Sequence, residues 1–415
     1  MQAVYLAKAQ RIAMIILVGI LLPGVLSAQS FRILDLGTLG GAASSAVSLD
    51  DNNTVVGWSE TISGERHAFS SCPTCDMSDP GHLPGGSISS ATAISSNGRY
   101  IVGYSGINEY GISFEQSTQG FILSNDTILS VGALYCPCTF NTRYGFSEAH
   151  AVNDYGEVVG YSETVRGRQV THAFLWKDGV MHDIGGGAGD RSISSALAIN
   201  NLSQVAGDFT ANTGATDTGT RAPNRRAFLW QNGNRQDLGV LPGHSSSSAL
   251  ALNDDGMVVG WSGRHDGSLS TAFLWHNSIM ENLGYLPGDS NSRAVSINNV
   301  GQIVGVSGTD LSNAGLSNAG LSGAFPSRTA LSSTALGTEP DITSGTSSQS
   351  DPTPARPFLW QNGAMLDLNS LLPAEAGWVI IDAADINNRG WIAGTGLREG
   401  RTHAILLEPV DSVPQ

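Results

Sequence analysis

The strongest constraint on this chain is a four-part unit that recurs along it. The unit is cleanest between Ser247 and Gly288. There Ser248–Leu252 reads as one short strand and Asn253-Asp254-Asp255-Gly256 as its turn. Met257–Trp261 reads as a second strand, Thr271–Trp275 as a third and Glu281–Gly284 as a fourth. The residue at which the first strand ends and its turn opens, taken as a mark, recurs at Asp50, Ser95, Asn153, Asn200, Asn253, Asn298 and Asn387. Four residues before each mark stands an alanine (Ala46, Ala91, Ala149, Ala196, Ala249, Ala294 and Ala383), and one before it an aliphatic residue. Seven after it stands Gly57, Gly160, Gly207, Gly260, Gly305 or Gly394. In the second unit Gly103 comes eight after Ser95, so one bulged residue is expected there. A period of this kind makes the chain an array of one supersecondary unit.

Each repeated position has a physical reading. Alanine in the first strand implies a crowded place where only a methyl fits. Glycine in the second strand implies close approach by a neighbouring backbone or a large ring. In turns such as Asn153-Asp154-Tyr155-Gly156, Asn and Asp bond their own backbone and Gly takes a positive φ. The third strand reads His/Arg/Thr-Ala-Phe-Leu-Trp, as at His172–Trp176, Arg226–Trp230 and Thr271–Trp275. Asp178-Gly179, Asn232-Gly233 and Asn362-Gly363 then supply two-residue hairpins. The fourth strand reads Asp-Leu-Gly or similar.

Four antiparallel strands repeated seven times is the pattern of an all-β, seven-bladed β-propeller, expected over residues 29–410. The seventh unit stops after its third strand, at Leu406-Leu407-Glu408-Pro409. A fourth-strand sequence, Phe31–Gly37, stands instead at the start of the array. Joining the two closes the ring and covers an edge. If the first strand is innermost, its alanines suit the narrow middle, and Phe and Trp of the third strand fill the gaps between blades. Long connections join the second strand to the third and blade to blade, all on one face: 106–119, 135–146, 210–225 and 308–356. The last is rich in Ser, Gly, Ala and Thr and reads as a disordered insertion in blade six, with a degenerate eighth blade as the alternative.

Residues 1–28 read as a secretion signal. Lys8 and Arg11 precede an apolar run, Ile12–Leu26, and Ser27-Ala28 supplies small residues for cleavage. Pro23-Gly24 breaks that run, and no later stretch is apolar enough to cross a bilayer. A secreted or periplasmic protein is expected. The formal charge is −15, which argues against nucleic acid or an anionic membrane surface as partner. The four cysteines form two local pairs, Cys72/Cys75 and Cys136/Cys138. In an exported chain disulfides are the expected state, and a four-thiolate zinc site is the alternative.

No nucleophile elbow, zinc-protease helix, Walker loop or dinucleotide fingerprint occurs. The Asn/Asp/Gly turns lack the alternating ligands of a calcium loop. His67, His172 and His403 hold equivalent places in separate blades, which suits capping or inter-blade hydrogen bonds better than a shared metal. No catalytic residues, metal or cofactor are assigned. Trp58, Tyr104, Tyr161 and Trp261 follow the second-strand glycine near the long-loop face. They are the candidate binding residues, able to stack on a sugar or peptide, with packing between blades as the alternative.

The His-Ala-Phe strand, the Ile-Asn-x-x-Gly-x-Val-Val-Gly hairpin and the Asp-Leu-Gly-x-Leu-Pro-Gly ending resemble the HAF family of probable extracellular repeats. His67-Ala68-Phe69, His172-Ala173-Phe174 and His403-Ala404 carry the likeness, which spans Phe31 to Pro409 without the insertion. It implies an exported bacterial protein and no established activity. The expected function is non-catalytic binding of an extracellular or envelope protein or glycan through the variable-loop face. A propeller lyase or hydrolase acting on polysaccharide, and a structural envelope component, are the alternatives.

Overall fold

The structure, a computed structural model, describes residues 30–106, 118–134, 145–164, 170–186, 192–210, 224–264, 268–311 and 355–410. Each repeat forms one antiparallel four-stranded sheet, and seven sheets stand in a ring. Blade three shows the plan: Ser147–Val152, Val158–Glu163, Thr171–Lys177 and Val180–Asp183, hydrogen-bonded in that order. The closing blade takes three strands from the end of the chain, Val379–Ile386, Ile392–Arg398 and Arg401–Val410. Its fourth is Ser30–Asp35, paired from Ser30 opposite Val410 to Asp35 opposite Ile405. The fold is the seven-bladed propeller that the repeat implies.

The core lies between blades. Val102 and Ile122 of blade two pack with Ala149, Val152, Val158 and Phe174 of blade three, and six similar clusters complete the circle. The third-strand phenylalanines, Phe174 and Phe273 among them, are fully buried. Each such burial is worth about 1.5–3 kcal/mol. The repeated alanines sit in these clusters and not on the axis, which corrects their expected place. The axis is lined two residues further on, by Ser48, Ala93, Ala151, Ala198, Ala251, Ser296 and Asp385.

The reason is a bulge. Every first strand shifts register just after its alanine, as between Ala149 and Ala151 or Ala249 and Ala251. The bulge is therefore common to all blades. The extra residue of blade two sits instead in the turn, where Ser95 N bonds Tyr100 O, one residue further on than the Asn153 N to Glu157 O bond of blade three. The carbonyl just before each alanine leans over the second-strand glycine. A Cβ on Gly160 would overlap Glu148 O and press the Phe174 ring; one on Gly260 would overlap Ser248 O.

Two hydrogen-bond systems tie blade to blade. At the short-turn end, Asn153 Nδ2 donates to Asn200 O (3.2 Å) and Asn200 Nδ2 to Asn253 O (3.0 Å). Asn253 Nδ2 reaches Asn298 O (3.1 Å), Asn298 Nδ2 reaches Asn387 O (2.9 Å) and Asn387 Nδ2 reaches Asp50 O (3.0 Å). Meanwhile Asn153 Oδ1 accepts from its own turn, Tyr155 N and Glu157 N. Asp50 and Ser95 lack the amide donor, and other bonds complete the circle there: Asp51 N to Ser96 O and Asn97 N to Asp154 Oδ1. Nearer the loop face, a first-strand serine bridges to the preceding blade. Ser247 Oγ accepts from Ala227 N (2.9 Å) and donates to Gly239 O (2.6 Å); Ser292 does the same with Ala272 and Gly284.

Each recurring histidine bonds a carboxylate of its own blade. His172 Nδ1 lies 2.8 Å from Asp183, His67 Nδ1 2.6 Å from Asp79 and His403 Nδ1 2.9 Å from Asp35. Arg226 and Arg356 occupy the same kind of place against Asp237 and Asp367. The repeated Asp of the fourth strand is thus a structural partner. Cys72 and Cys75 form a disulfide across the third hairpin of blade one. Cys136, Cys138, residues 1–29 and nearly all of 308–356 lie outside the described residues, as do most of the long connections 106–119, 135–146 and 210–225. Among the described residues, no helix is long and apolar enough to cross a membrane.

Candidate functional site

A propeller of identical blades would have no distinguished place on its axis, so chemistry is to be sought where register-equivalent residues differ. At the short-turn end they hardly do. The axial cavity of about 190 Å³ there is ringed by Asn and Asp, and its carboxylates are already acceptors: Asp254 takes Asn201 N on Oδ1 and Asn299 Nδ2 on Oδ2. One residue departs. Asp385 replaces the small wall residue of blade seven and accepts from Ser48 Oγ, Leu49 N, Ser296 Oγ and Ile386 N. Burial pushes its carboxyl above the ordinary range, and those donors pull it back.

The loop-side end is different. There the residue whose carbonyl leans over the second-strand glycine faces the residue that follows that glycine. The cross-strand pairs are Ser45–Trp58, Ser90–Tyr104, Glu148–Tyr161, Ser195–Asp208, Ser248–Trp261, Arg293–Val306 and Asp382–Thr395. They also meet across blade gaps. Thr395 Oγ1 lies 2.8 Å from Ser45 Oγ, Ser248 Oγ donates to Asp208 Oδ2 at 2.7 Å, and the Arg293 guanidinium lies 5.7 Å from the Trp261 ring centre. This belt carries serine in four blades and Glu148, Arg293 and Asp382 in the others.

All four sequence candidates fall on this belt, at one register position. Trp58 and Trp261 are half-buried; Tyr104 and Tyr161 are buried. Arg66, on the third strand of blade one, stacks 3.9 Å over the Trp58 ring. In blade four the equivalent arginine, Arg225, forks onto Asp208 at 2.9 and 3.0 Å. The belt therefore mixes aromatic faces with guanidinium and carboxylate groups.

Blade three holds a polar cluster that sequence reasoning missed. Tyr161 donates its hydroxyl to Glu148 Oε2 at 2.6 Å. The His150 ring stacks on Tyr161, centroids 5.2 Å apart, with Nε2 3.8 Å from Glu148 Oε2. His150 is only 4% exposed, and neither ring nitrogen has a hydrogen-bond partner. Burial pushes its pKa down to about 4, so the ring is neutral at neutral pH. The signal lay in the repeat: where blade three has Glu148 and His150, blade four has Ser195 and Leu197 and blade five Ser248 and Leu250. Among the described residues, no three His, Cys, Asp or Glu gather as a metal site.

No protein-family model matches the chain, and no curated protein matches it. Solved structures share its architecture. The β-propeller domain of the Trilobed protease from Pyrococcus furiosus is 8% identical, with a TM-score of 0.49, over 90% of this chain and 98% of that one. Dipeptidyl peptidase 4 from Porphyromonas gingivalis is 10% identical, with a TM-score of 0.44, over 88% of this chain and 53% of its own. A gluconolactonase from Xanthomonas campestris is 14% identical, with a TM-score of 0.36, over 68% and 89%. The chain thus spans about half of the peptidase. At these identities the likeness concerns the fold alone.

Proposed function

We propose that this chain is an exported propeller that binds an extracellular or envelope ligand, a glycan in the first place, at the loop-side belt. The observation that supports it most is the concentration of repeat-breaking polar and aromatic residues on that belt, while the opposite end, where Asp385 alone departs, keeps its bonds internal. Half-buried Trp58 and Trp261 offer ring surface on which a sugar could stack. Glycan and peptide arrays probed with the leaderless chain test the reading. Capture that is lost in Trp58→Ala and Trp261→Ala supports it, and an array with no hits, or capture unchanged by both substitutions, overturns it.

One observation favours a second reading, an enzyme acting on polysaccharide. The Tyr161 hydroxyl, the Glu148 carboxylate and the neutral His150 imidazole are the groups that general acid–base chemistry uses. Overnight incubation of captured glycans, followed by assay for new reducing ends and unsaturated products, separates the two. Intact polymer leaves binding as the function.

A further inference from the structure

Two arginines on the loop-side belt are anomalous. Of the described arginines that are not fully exposed, Arg225, Arg226 and Arg356 each hold a carboxylate within salt-bridge distance. Among the described residues, Arg66 and Arg293 hold none. Each instead lies over a tryptophan, Arg66 over Trp58 and Arg293 over Trp261. In each, Nε is shielded from solvent and has no acceptor, and the Trp261 indole Nε1 beside Arg293 is likewise unpaired. Three N–H donors at one end of the axis thus lack acceptors. A chain of net charge −15 has kept two desolvated cations where carboxylate partners are plentiful elsewhere.

Burial lowers the pKa of both guanidinium groups, opposed at Arg66 by Tyr104 and Glu60. An arginine remains charged under such a shift, so the cost stays in the free protein. With Nε shielded, a planar anion at the outer end of each half-buried guanidinium would offset it. A carboxylate accepts two parallel N–H bonds from a guanidinium fork, while the far face of the same tryptophan takes a sugar ring. The negative groups of the belt do not occupy these forks. Asp208 is held by Arg225, and Glu148 accepts from Tyr161. Asp382 is buried in blade seven, between the two arginines in ring order.

Resting on the binding function proposed above, we infer that the ligand is a carboxylated glycan, its uronate groups recognised by Arg66 and Arg293, each backed by its tryptophan. The shared signature is an acidic sugar unit stacked on indole and forked by guanidinium.

Calorimetric titration of the leaderless chain with polygalacturonate, with alginate and with carboxyl-reduced polygalacturonate tests this. The expected result is binding of at least one acidic polymer, at least tenfold weaker binding of the reduced one, and weakening with added salt. Arg66→Gln and Arg293→Gln should each weaken acidic-polymer binding about tenfold without lowering the melting temperature, and Arg293→Lys should restore only part of the binding. Equal binding of acidic and reduced polymers overturns the carboxylate assignment and leaves glycan binding standing. Equal binding of dextran sulfate overturns the carboxylate fork in favour of charge alone. Capture of polyglutamate without any glycan overturns the glycan assignment, and no binding to any polymer overturns it as well. An array without hits would sink the binding function itself.

Discussion

Asp385 Oδ2 accepts Ser48 Oγ at 2.8 Å across the seam between the last blade and the first. On the other side Oδ1 accepts Ser296 Oγ at 2.5 Å from blade six. Each oxygen also takes one backbone N–H, Leu49 N on Oδ2 and Ile386 N on Oδ1. An asparagine could not serve, because its NH₂ would face one of those N–H groups whichever way it pointed. Asp385→Asn should therefore cost about 1–3 kcal/mol, the penalty of a buried donor left without an acceptor. Urea denaturation at pH 7 measures it. Wild-type stability in the variant would show that the latch contributes nothing to closure.

The stability of the protein should fall on mild acidification because of His150. An unfolded histidine titrates near 6.5; in the fold its pKa is pushed down to about 4 by burial. Its folded pKa is depressed, so between these values the unfolded chain binds a proton that the folded chain refuses. Stability from this group is full above about pH 6.5 and is lost as pH falls toward 4, by up to about 3 kcal/mol. Leucine is native to this register in blades four and five, as Leu197 and Leu250. His150→Leu should flatten the difference between unfolding free energies at pH 7 and pH 4.5. An identical slope in both proteins would rule out His150 as its source.

Blade-to-blade adhesion should depend on the bridging serines one by one. Ser247→Ala strands the Ala227 N–H in a fully buried place and frees Gly239 O. A loss of about 1–3 kcal/mol is expected. Ser292→Ala, one blade further, should cost a similar amount. The two sites share no partner, so the double variant should lose close to the sum. Thermal and urea unfolding of the three variants check this, and a near-neutral Ser247→Ala would mean that solvent satisfies Ala227.

What could be read along the chain was what each repeat repeats. Ala249, Gly260, Phe273 and the Asn253 turn recur in phase, and with them came the blade, the number of blades and the closing strand. What could not be read was any relation across a blade gap, since neither partner lies in the same repeat. Asn153 looked like a turn former, yet its Nδ2 holds Asn200 O in the next blade. Ser247 stands in the sequence only as the first residue of the unit, before the strand Ser248–Leu252. The bulge was inferred for one blade because only that blade has an extra residue; a bulge present in all seven leaves the spacing unchanged. The candidate belt was half legible. Trp58, Tyr104, Tyr161 and Trp261 marked the right register. Glu148, His150 and Arg293 stand in the sequence as departures from the Ser and Leu of other blades, a weaker signal than the variation in loop length.

Ring closure itself gives the sharpest test of the architecture. Phe31 is 1% exposed and packs with Ile380, Ile405 and Leu407 of the last blade. Deleting Ser30–Leu36 uncovers that cluster and leaves the strand Arg401–Val410 with an unpaired edge. Losing the Phe31 side chain alone is worth about 3–5 kcal/mol in comparable cores, so the deletion should lower the melting temperature sharply and promote association through the bare edge. A synthetic peptide of sequence SFRILDLG should reverse both effects when added in trans, because an extended strand can add to an open sheet edge through main-chain bonds. A peptide with Phe31 and Ile33 replaced by serine should not. Thermal melts and light scattering with each peptide read the outcome. A deleted chain that melts like the full one would show that the ring holds without its N-terminal strand.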